Sequence, residues 1–264
     1  MKRYYTWSNM PKSVRAKLNI LAIARTIPTG STTLTKLTPN NNCKSITVYG
    51  SNLGSNIGFK LDSNTLNNIF ISPFIIQVLI GILLGDGNIR KPYKNGNPQI
   101  QYNQGFVHLN HILNIFYILS PILTHLPSLV QRRDLSFYLH LHTRCLACLI
   151  PLYDLLIVNG KKKIPDTIGQ WLTPVGLAFW AMDDGSSTPE GFYLNTHSYS
   201  YEEQLILQKA LLDNFGIICN IHKQGIHYKL YIRSQSMTTF RSLVLPYFSP
   251  SFYYKLFPSS KWKK

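Results

Sequence analysis

With 264 residues, 45% of them hydrophobic, the chain is long enough to bury a core, which argues against an intrinsically disordered protein. Its 27 Lys and Arg against 11 Asp and Glu leave a net charge of +16; relieving that self-repulsion calls for a polyanion, nucleic acid first and an anionic membrane surface second. Four cysteines in a chain of this length make no disulfide framework, and no segment reads as transmembrane, because the longest apolar run, Ile69 to Leu84, is short and interrupted by Ser72, Pro73 and Gln77.

Residues 1–68 read as a basic extension. From Met1 to Leu61 there are nine Lys or Arg and no acid. Ser, Thr, Asn and Gly dominate, with "TIPTGSTTLTKLTPNNN" in the middle, and only "AKLNILAIART" suggests a short helix. Such a segment resembles an organelle-targeting sequence or a basic tail. The richness in Asn, Ile, Lys and Tyr points to an AT-rich, organellar origin, and a mitochondrial location is expected.

From Ile69 the chain runs through one plan twice. The apolar helix "LIGILLGDGNI" ends at Asp86-Gly87. Strands around "NIRKPYKNG" and "NPQIQYNQGF" follow, joined through Lys94-Asn95-Gly96. Then come the helix "LNHILNIFYILSPIL", the strand "SFYLHLH", the helix "RCLACLIPLYDLLI" and the basic turn "NGKKKIP". The CxxC pair Cys145–Cys148 falls in that apolar run without a second pair, and reads as core thiols. The second pass opens with "VGLAFWAMDDGSS", ending at Asp184-Gly185. It continues through the strand "GFYLNTHS", the helix "YEEQLILQKALLDNFG", the hairpin "CNIHKQG–IHYKLYIRS" and the helix "SMTTFRSLVLPYF" to the tail "SPSFYYKL". Residues 69–165 and 166–264 are therefore expected to form two homologous halves. Each opens with an acid and closes with a lysine, Lys162 or Lys255, at a nearly matching interval.

The strands alternate. Gln99, Gln101 and Asn103 oppose Ile100 and Tyr102. Tyr138, His140 and His142 oppose Phe137, Leu139 and Leu141. Tyr193, Asn195 and His197 oppose Phe192, Leu194 and Thr196. His227, Lys229, Tyr231 and Arg233 oppose Ile226, Tyr228, Leu230 and Ile232. The outward faces carry amides, imidazoles, phenols and cations but no acid, whereas an ordinary solvated face would include Glu. With Arg90, Lys91, Lys94 and Lys223, these residues form the candidate DNA-binding set, since amides pair with adenine edges and Arg or Lys with guanine edges.

The two acids sit where a helix disfavours them. A carboxylate at a helix carboxyl end costs about 0.3–1 kcal/mol, so repeating it calls for a cation, and Mg²⁺ takes hard oxygens and often only one or two carboxylates plus phosphates. Gly87 and Gly185 are expected in the left-handed turn that ends a helix. Gly81 and Gly85, four apart, offer a face on which a second helix could approach, bringing Asp86 and Asp184 together.

"LIGILLGDG" (79–87) and "LAFWAMDDG" (177–185), with the flanks "IVNGKKKIP", "LTPVGLAFWAMDDG", "YLNTHSYSYEEQ" and "SPSFYYKL", resemble the LAGLIDADG homing endonucleases of the single-chain, two-motif type, over roughly Ile69 to Leu256. That resemblance implies an α+β fold of pseudo-twofold duplicated αββαββα halves, with two antiparallel sheets forming a DNA-binding saddle. It implies a monomer that makes a double-strand cut at a long specific DNA target, using Mg²⁺ or another divalent cation such as Mn²⁺. Asp86 and Asp184 map to the catalytic acids and metal ligands, with Gly85 and Asp183 beside them in the metal set. Lys162 and Lys255 map to the basic catalytic residues, and Gln104 is a weaker supporting candidate. Phe179 departs from the small residue of the motif, which implies looser or offset packing there. The same fold also serves intron maturases, so an RNA-binding protein that assists splicing of its host group I intron is the alternative. A cleavage-dead regulator is the third reading; intact acids count against both.

Overall fold

In a computed structural model, residues 3–5, 57–58 and 60–257 are described. The helix expected at "AKLNILAIART", and Cys43, lie outside them. The chain forms two compact units, Met1–Ser72 with Arg90–Ile150, and Pro73–Ile89 with Pro151–Lys264.

The first unit is built on strands β1 (Arg3–Tyr5), β3 (Gln99–Gly105), β4 (Ser128–Gln131) and β5 (Phe137–His142), in a sheet of order β1-β4-β5-β3-β2. β2 (Asn88–Arg90) is where the chain enters this unit. The pairs β1–β4, β4–β5 and β3–β5 are antiparallel. Two strands depart from expectation: β4 lies in a stretch that carries no alternation, and Arg3–Tyr5 pairs with it although residues 1–68 read as irregular. The short helix α1 (Ser63–Asn67) also interrupts that stretch, capped by the Asp62 carboxylate on the Thr65 amide. Helix α3 (Leu109–Leu119) packs on β3 and β5 through Ile112, Ile115 and Phe116.

The second unit holds α2 (Pro73–Leu84), α4 (Ile150–Leu156) from Pro151 on, α5 (Ile168–Trp171), α6 (Pro174–Asp184), α7 (Tyr201–Phe215), α8 (Met237–Val244) and α9 (Tyr253–Leu256). Its sheet runs β10-β11-β9-β8, made of β8 (Gly185–Ser187), β9 (Phe192–Leu194), β10 (Cys219–Gln224) and β11 (His227–Ile232), all antiparallel. Helix α7 covers one face of β10 and β11. A capping box fixes its start: Ser200 accepts from the Glu203 amide, and Glu203 from the Ser200 amide. Helices α2 and α6 are apolar all round and almost wholly buried, as helices interior to a domain should be. Thr173 caps α6 through the Gly176 amide, with Pro174 in its first turn.

Two small hairpins matter later. Between β6 (Ile157–Val158) and β7 (Lys161–Lys162), Asn159 and Gly160 have φ of 52° and 75°, the left-handed pair that a tight two-residue hairpin loop demands. Gly225 (φ 62°) and Ile226 link β10 to β11; Ile226, expected on the apolar face, sits in that turn and is 86% exposed.

Candidate active site

Helices α2 and α6 touch backbone to backbone. A Cβ on Gly81 would collide with the Gly176 carbonyl oxygen and lie 2.7 Å from Phe179 Cβ; one on Gly85 would lie 2.6 Å from Asp183 Cβ. The Gly81–Gly85 face therefore does what its spacing suggested. Phe179 does not loosen the seam: its ring is buried, because Gly81 stands opposite. Helix α2 itself stops at Leu84, and Asp86 sits in the turn beyond it, where the Gly87 amide donates to the Ile82 carbonyl at 2.6 Å. Neither Gly87 nor Gly185 is left-handed, contrary to expectation; Gly185 has φ −81°. Glycine is needed there for room, since a Cβ on Gly87 would meet Ile82 O at 2.5 Å and one on Gly185 would strike the Ala181 carbonyl oxygen.

The seam gathers the acids. Asp184 is half-buried, and burial, then Asp86, then Asp183, push its carboxyl up to about 7, against the pull of Lys162 and Lys255. Asp86 is exposed to solvent. Lys162 donates to the Gly87 carbonyl at 3.3 Å; burial lowers its ammonium to about 8 although Asp184, Asp183 and Asp86 favour its charge. Lys255 donates to the carbonyls of Met182 (2.5 Å) and Asp183 (3.2 Å), and burial lowers its ammonium too. Each lysine thus sits on carbonyls at the end of one motif segment, where a helix gathers negative charge and a cation is favoured. Lys161 and Lys163, its neighbours in the run, are exposed, and the Asn159-Gly160 loop turns Lys162 inward.

Three residues that were not expected at this centre hold it. The Tyr199 hydroxyl donates to the Leu84 carbonyl at 2.8 Å, and its ring faces the Lys162 ammonium at 5.9 Å. Glu203, besides capping α7, accepts from the Ile164 amide at 2.9 Å, fixing the end of the lysine loop. Asn195, expected to face DNA, donates its side-chain amide to the Asp184 carbonyl at 2.7 Å and to Ser186 at 3.3 Å. None could be found from local pattern, because the partners are distant in sequence. Gln104, the weaker supporting candidate, belongs to the other unit. It is buried in the first unit and donates to the Tyr102 hydroxyl at 3.0 Å, which also meets His111 at 3.1 Å.

The alternation of polar residues holds in both sheets. In the first unit, Gln101 pairs across to His142 and Asn103 to His140, with Asn103 Oδ1 2.7 Å from His140 Nδ1, while the Gln99 amide donates to the Thr143 carbonyl at 2.9 Å. The Gln101 amide, with its oxygen toward Arg90, accepts from that guanidinium at 2.9 Å. Arg132 stacks on Tyr138 at 5.1 Å. Burial, His125 and Arg90 all lower the His142 imidazole. Arg90 and Lys94 are exposed and Lys91 half-buried. In the second unit Tyr193, His222 and Tyr231 form one stack: His222 lies nearly parallel to Tyr231 at 4.9 Å, and Tyr193 bonds His222 Nδ1 at 3.0 Å. Lys229 caps the Tyr193 ring at 3.9 Å. His197 meets Gln224 at 3.2 Å, and His227 meets the His197 carbonyl at 3.0 Å. Period two in β10, with the register to β11, adds Asn220, His222 and Gln224 to this face; Lys223 pairs with Tyr228 and lies on the other. Arg233 is exposed just past the strand.

The donor set suits a hard divalent cation. A carboxyl that burial, then Asp86 and Asp183, lift to about 7 is one that a divalent cation would stabilise in its charged form, and aspartate oxygens are the ligands Mg²⁺ and Mn²⁺ prefer. Among the described residues no group of three or more His, Cys, Asp or Glu is arranged to hold a metal alone. The pair therefore fits an ion that completes its shell with water and phosphate. Cys145, Cys148 and Cys219 are free thiols; burial pushes Cys148 up to about 11, which keeps it protonated and a poor metal ligand. No helix among the described residues is long and apolar enough to cross a membrane.

Residues 76–240 match the profile of the LAGLIDADG DNA endonuclease family, and the chain belongs to that family. Among its relatives, cytochrome b mRNA maturase bI2 of Saccharomyces cerevisiae is 28% identical over 195 residues, covering 68% of this chain and 46% of that protein. A probable intron-encoded endonuclease 1 of Wickerhamomyces canadensis is 28% identical over 200 residues, 68% of this chain and 82% of that one. The homing endonuclease I-WcaI, solved bound to its DNA recognition sequence, superposes with a TM-score of 0.69 at 25% identity, covering 75% of this chain and 95% of that one. The chain thus spans less than half the length of the yeast maturase and most of the other two.

Proposed function

We propose that the protein is an intron-encoded homing endonuclease that hydrolyses both strands of a long DNA target. One observation carries the reading: two motif segments, each ending in an aspartate and each with a lysine on its terminal carbonyls, meet at the Gly81–Gly85 face, where burial, then Asp86 and Asp183, raise the carboxyl of Asp184. In this reading Asp86 and Asp184 would hold Mg²⁺ or Mn²⁺, with Gly85 and Asp183 shaping the space between them. The bound ion would supply charge neutralisation and an activated water. The chain's own work is to keep water-exposed Asp86 beside half-buried Asp184 and to hold two ammonium groups where a phosphate gains negative charge. Lys162, brought down to about 8, is close enough to neutrality to exchange a proton near physiological pH. The polar sheet faces would read base edges; the family's intron-encoded relatives favour an organellar setting, and two motif segments in one chain favour a monomer acting on DNA.

The test is a plasmid carrying the intron-free host allele. Purified protein should linearise it with Mg²⁺ or Mn²⁺ and not with EDTA. No cutting at low salt with either ion would defeat the reading. The maturase names of close relatives favour one alternative, in which the protein binds its host intron RNA; filter binding and a splicing assay with that RNA would then respond where the plasmid does not.

A further inference from the structure

We infer that Tyr199 is a positioning residue for one of the two proposed cutting centres, acting through Lys162. This rests on the endonuclease reading and adds a residue to it. Tyr199 is buried, in the turn that leads from β9 into α7. Its hydroxyl spends its proton on the carbonyl of Leu84, the last residue of α2. Such carbonyls have no partner within their own helix. The bond therefore pins the segment that presents Asp86. The same ring flanks the ammonium of Lys162, whose own hydrogen bond goes to Gly87, one residue past that acid. Two residues of one motif end, Leu84 and Gly87, are thus held by a phenol and by the lysine stacked on that phenol. The ring beside Lys255 is a different one, without a hydroxyl: its ammonium lies over Phe252 at 4.7 Å and takes the carbonyls of Met182 and Asp183. Among the described contacts, Tyr199 is the ring at Lys162 and Phe252 the ring at Lys255.

The segment that carries Tyr199 also begins on the sheet. Tyr193 belongs to the stacked face, Asn195 holds the Asp184 carbonyl, and Glu203 holds Ile164 behind the lysine loop. Eleven residues, 193–203, therefore run from the polar face to both motif ends, so a disturbance at Tyr199 falls on alignment of the acid and lysine rather than on the DNA-facing residues.

The test compares wild type with Tyr199→Phe on supercoiled target plasmid, single turnover, together with DNA affinity and thermal midpoint. The expected result is a nicked-circle intermediate: one strand slowed about 10-fold, the other cut near the wild-type rate, affinity within about twofold. Equal slowing of both strands, or two unchanged rates, overturns the proposal. A second arm needs no cleavage. Acetylation of Lys162, scored by mass spectrometry against exposed Lys161, should rise several-fold in Tyr199→Leu and less in Tyr199→Phe. If wild type fails to cut, the endonuclease reading falls, and this arm alone decides whether Tyr199 shields and places Lys162; an unchanged Lys162-to-Lys161 ratio in folded Tyr199→Leu overturns that.

Discussion

Asp184 illustrates how a side chain can be costly to the fold and necessary to the chemistry. Its carboxyl stands at about 7 in the folded chain against an ordinary 3.8. A raised carboxyl favours the protonated folded state, so its stabilising share is present below about pH 4 and is lost as pH climbs through 7. Metal-free protein is therefore expected to lose thermal stability between pH 4 and 7, and Asp184→Asn to abolish that slope. At pH 8 the substitution should raise stability by roughly 1–3 kcal/mol, discounted for partial solvent exposure, while ending cleavage and leaving DNA affinity within a few-fold. Melting curves with EDTA, alongside plasmid cutting, check all three outcomes; undiminished cutting by Asp184→Asn or Asp86→Asn would remove the metal assignment. Lys162 runs the opposite way: an ammonium lowered to about 8 penalises the fold below that pH and ceases to do so as pH rises toward 10.5. At this scale the two acids and two lysines were legible in the sequence, because each occurs twice in matching places. Tyr199, Glu203 and the hold of Asn195 on the Asp184 carbonyl were not. The Tyr199–Leu84 bond spans 115 residues, and nothing in "HSYSYEEQ" distinguishes a tyrosine that reaches a distant carbonyl from one that faces solvent.

Among the elements, the motif helices carry the most information in the fewest residues. Gly85→Ala would force a Cβ to within 2.6 Å of Asp183 Cβ and 2.9 Å of its carboxylate oxygen. Overpacking of this kind typically costs about 1–3 kcal/mol. Denaturant melts of Gly85→Ala should show that loss, with cleavage falling further than DNA affinity because the acids are moved apart. Period-two alternation found the polar faces of β3, β5, β9 and β11, since a half-buried strand cannot hide which side it turns to water. It failed for β4, where only Leu129 and Val130 are buried and Pro127 and Arg132 flank them closely. That strand exists because β5 and β1 pair with it, a non-local cause. It failed differently at Ile226, whose apolar character suggested the core although the register from Gln224 to His227 leaves it in the loop.

For the molecule as a whole, the charge of +16 was the first clue and gives the broadest expectation. Binding of target DNA should weaken linearly in log–log form as salt rises, falling roughly a thousand-fold or more between 50 and 200 mM if six or more phosphates are met. A fluorescence titration at several salt concentrations measures the slope; a flat line would mean that the cations do not face the backbone. The repeat of motifs along the chain reads as two halves, whereas packing groups α2 with residues 151–264, because its glycines seat on α6. Repetition is visible in sequence; which element seats on which depends on surfaces that meet only after folding.

That glycine seam also bears on how such a chain can diverge. Where the two motif segments meet through main-chain and Cβ atoms, little side chain lies between them to be repacked, and substitutions elsewhere in the core are expected to leave their separation alone. In the proposed reaction the stagger between the two nicks would then be a property of the backbone. Recognition, carried by the outward side chains of the sheets, could drift to new targets while the geometry of the cut stayed the same.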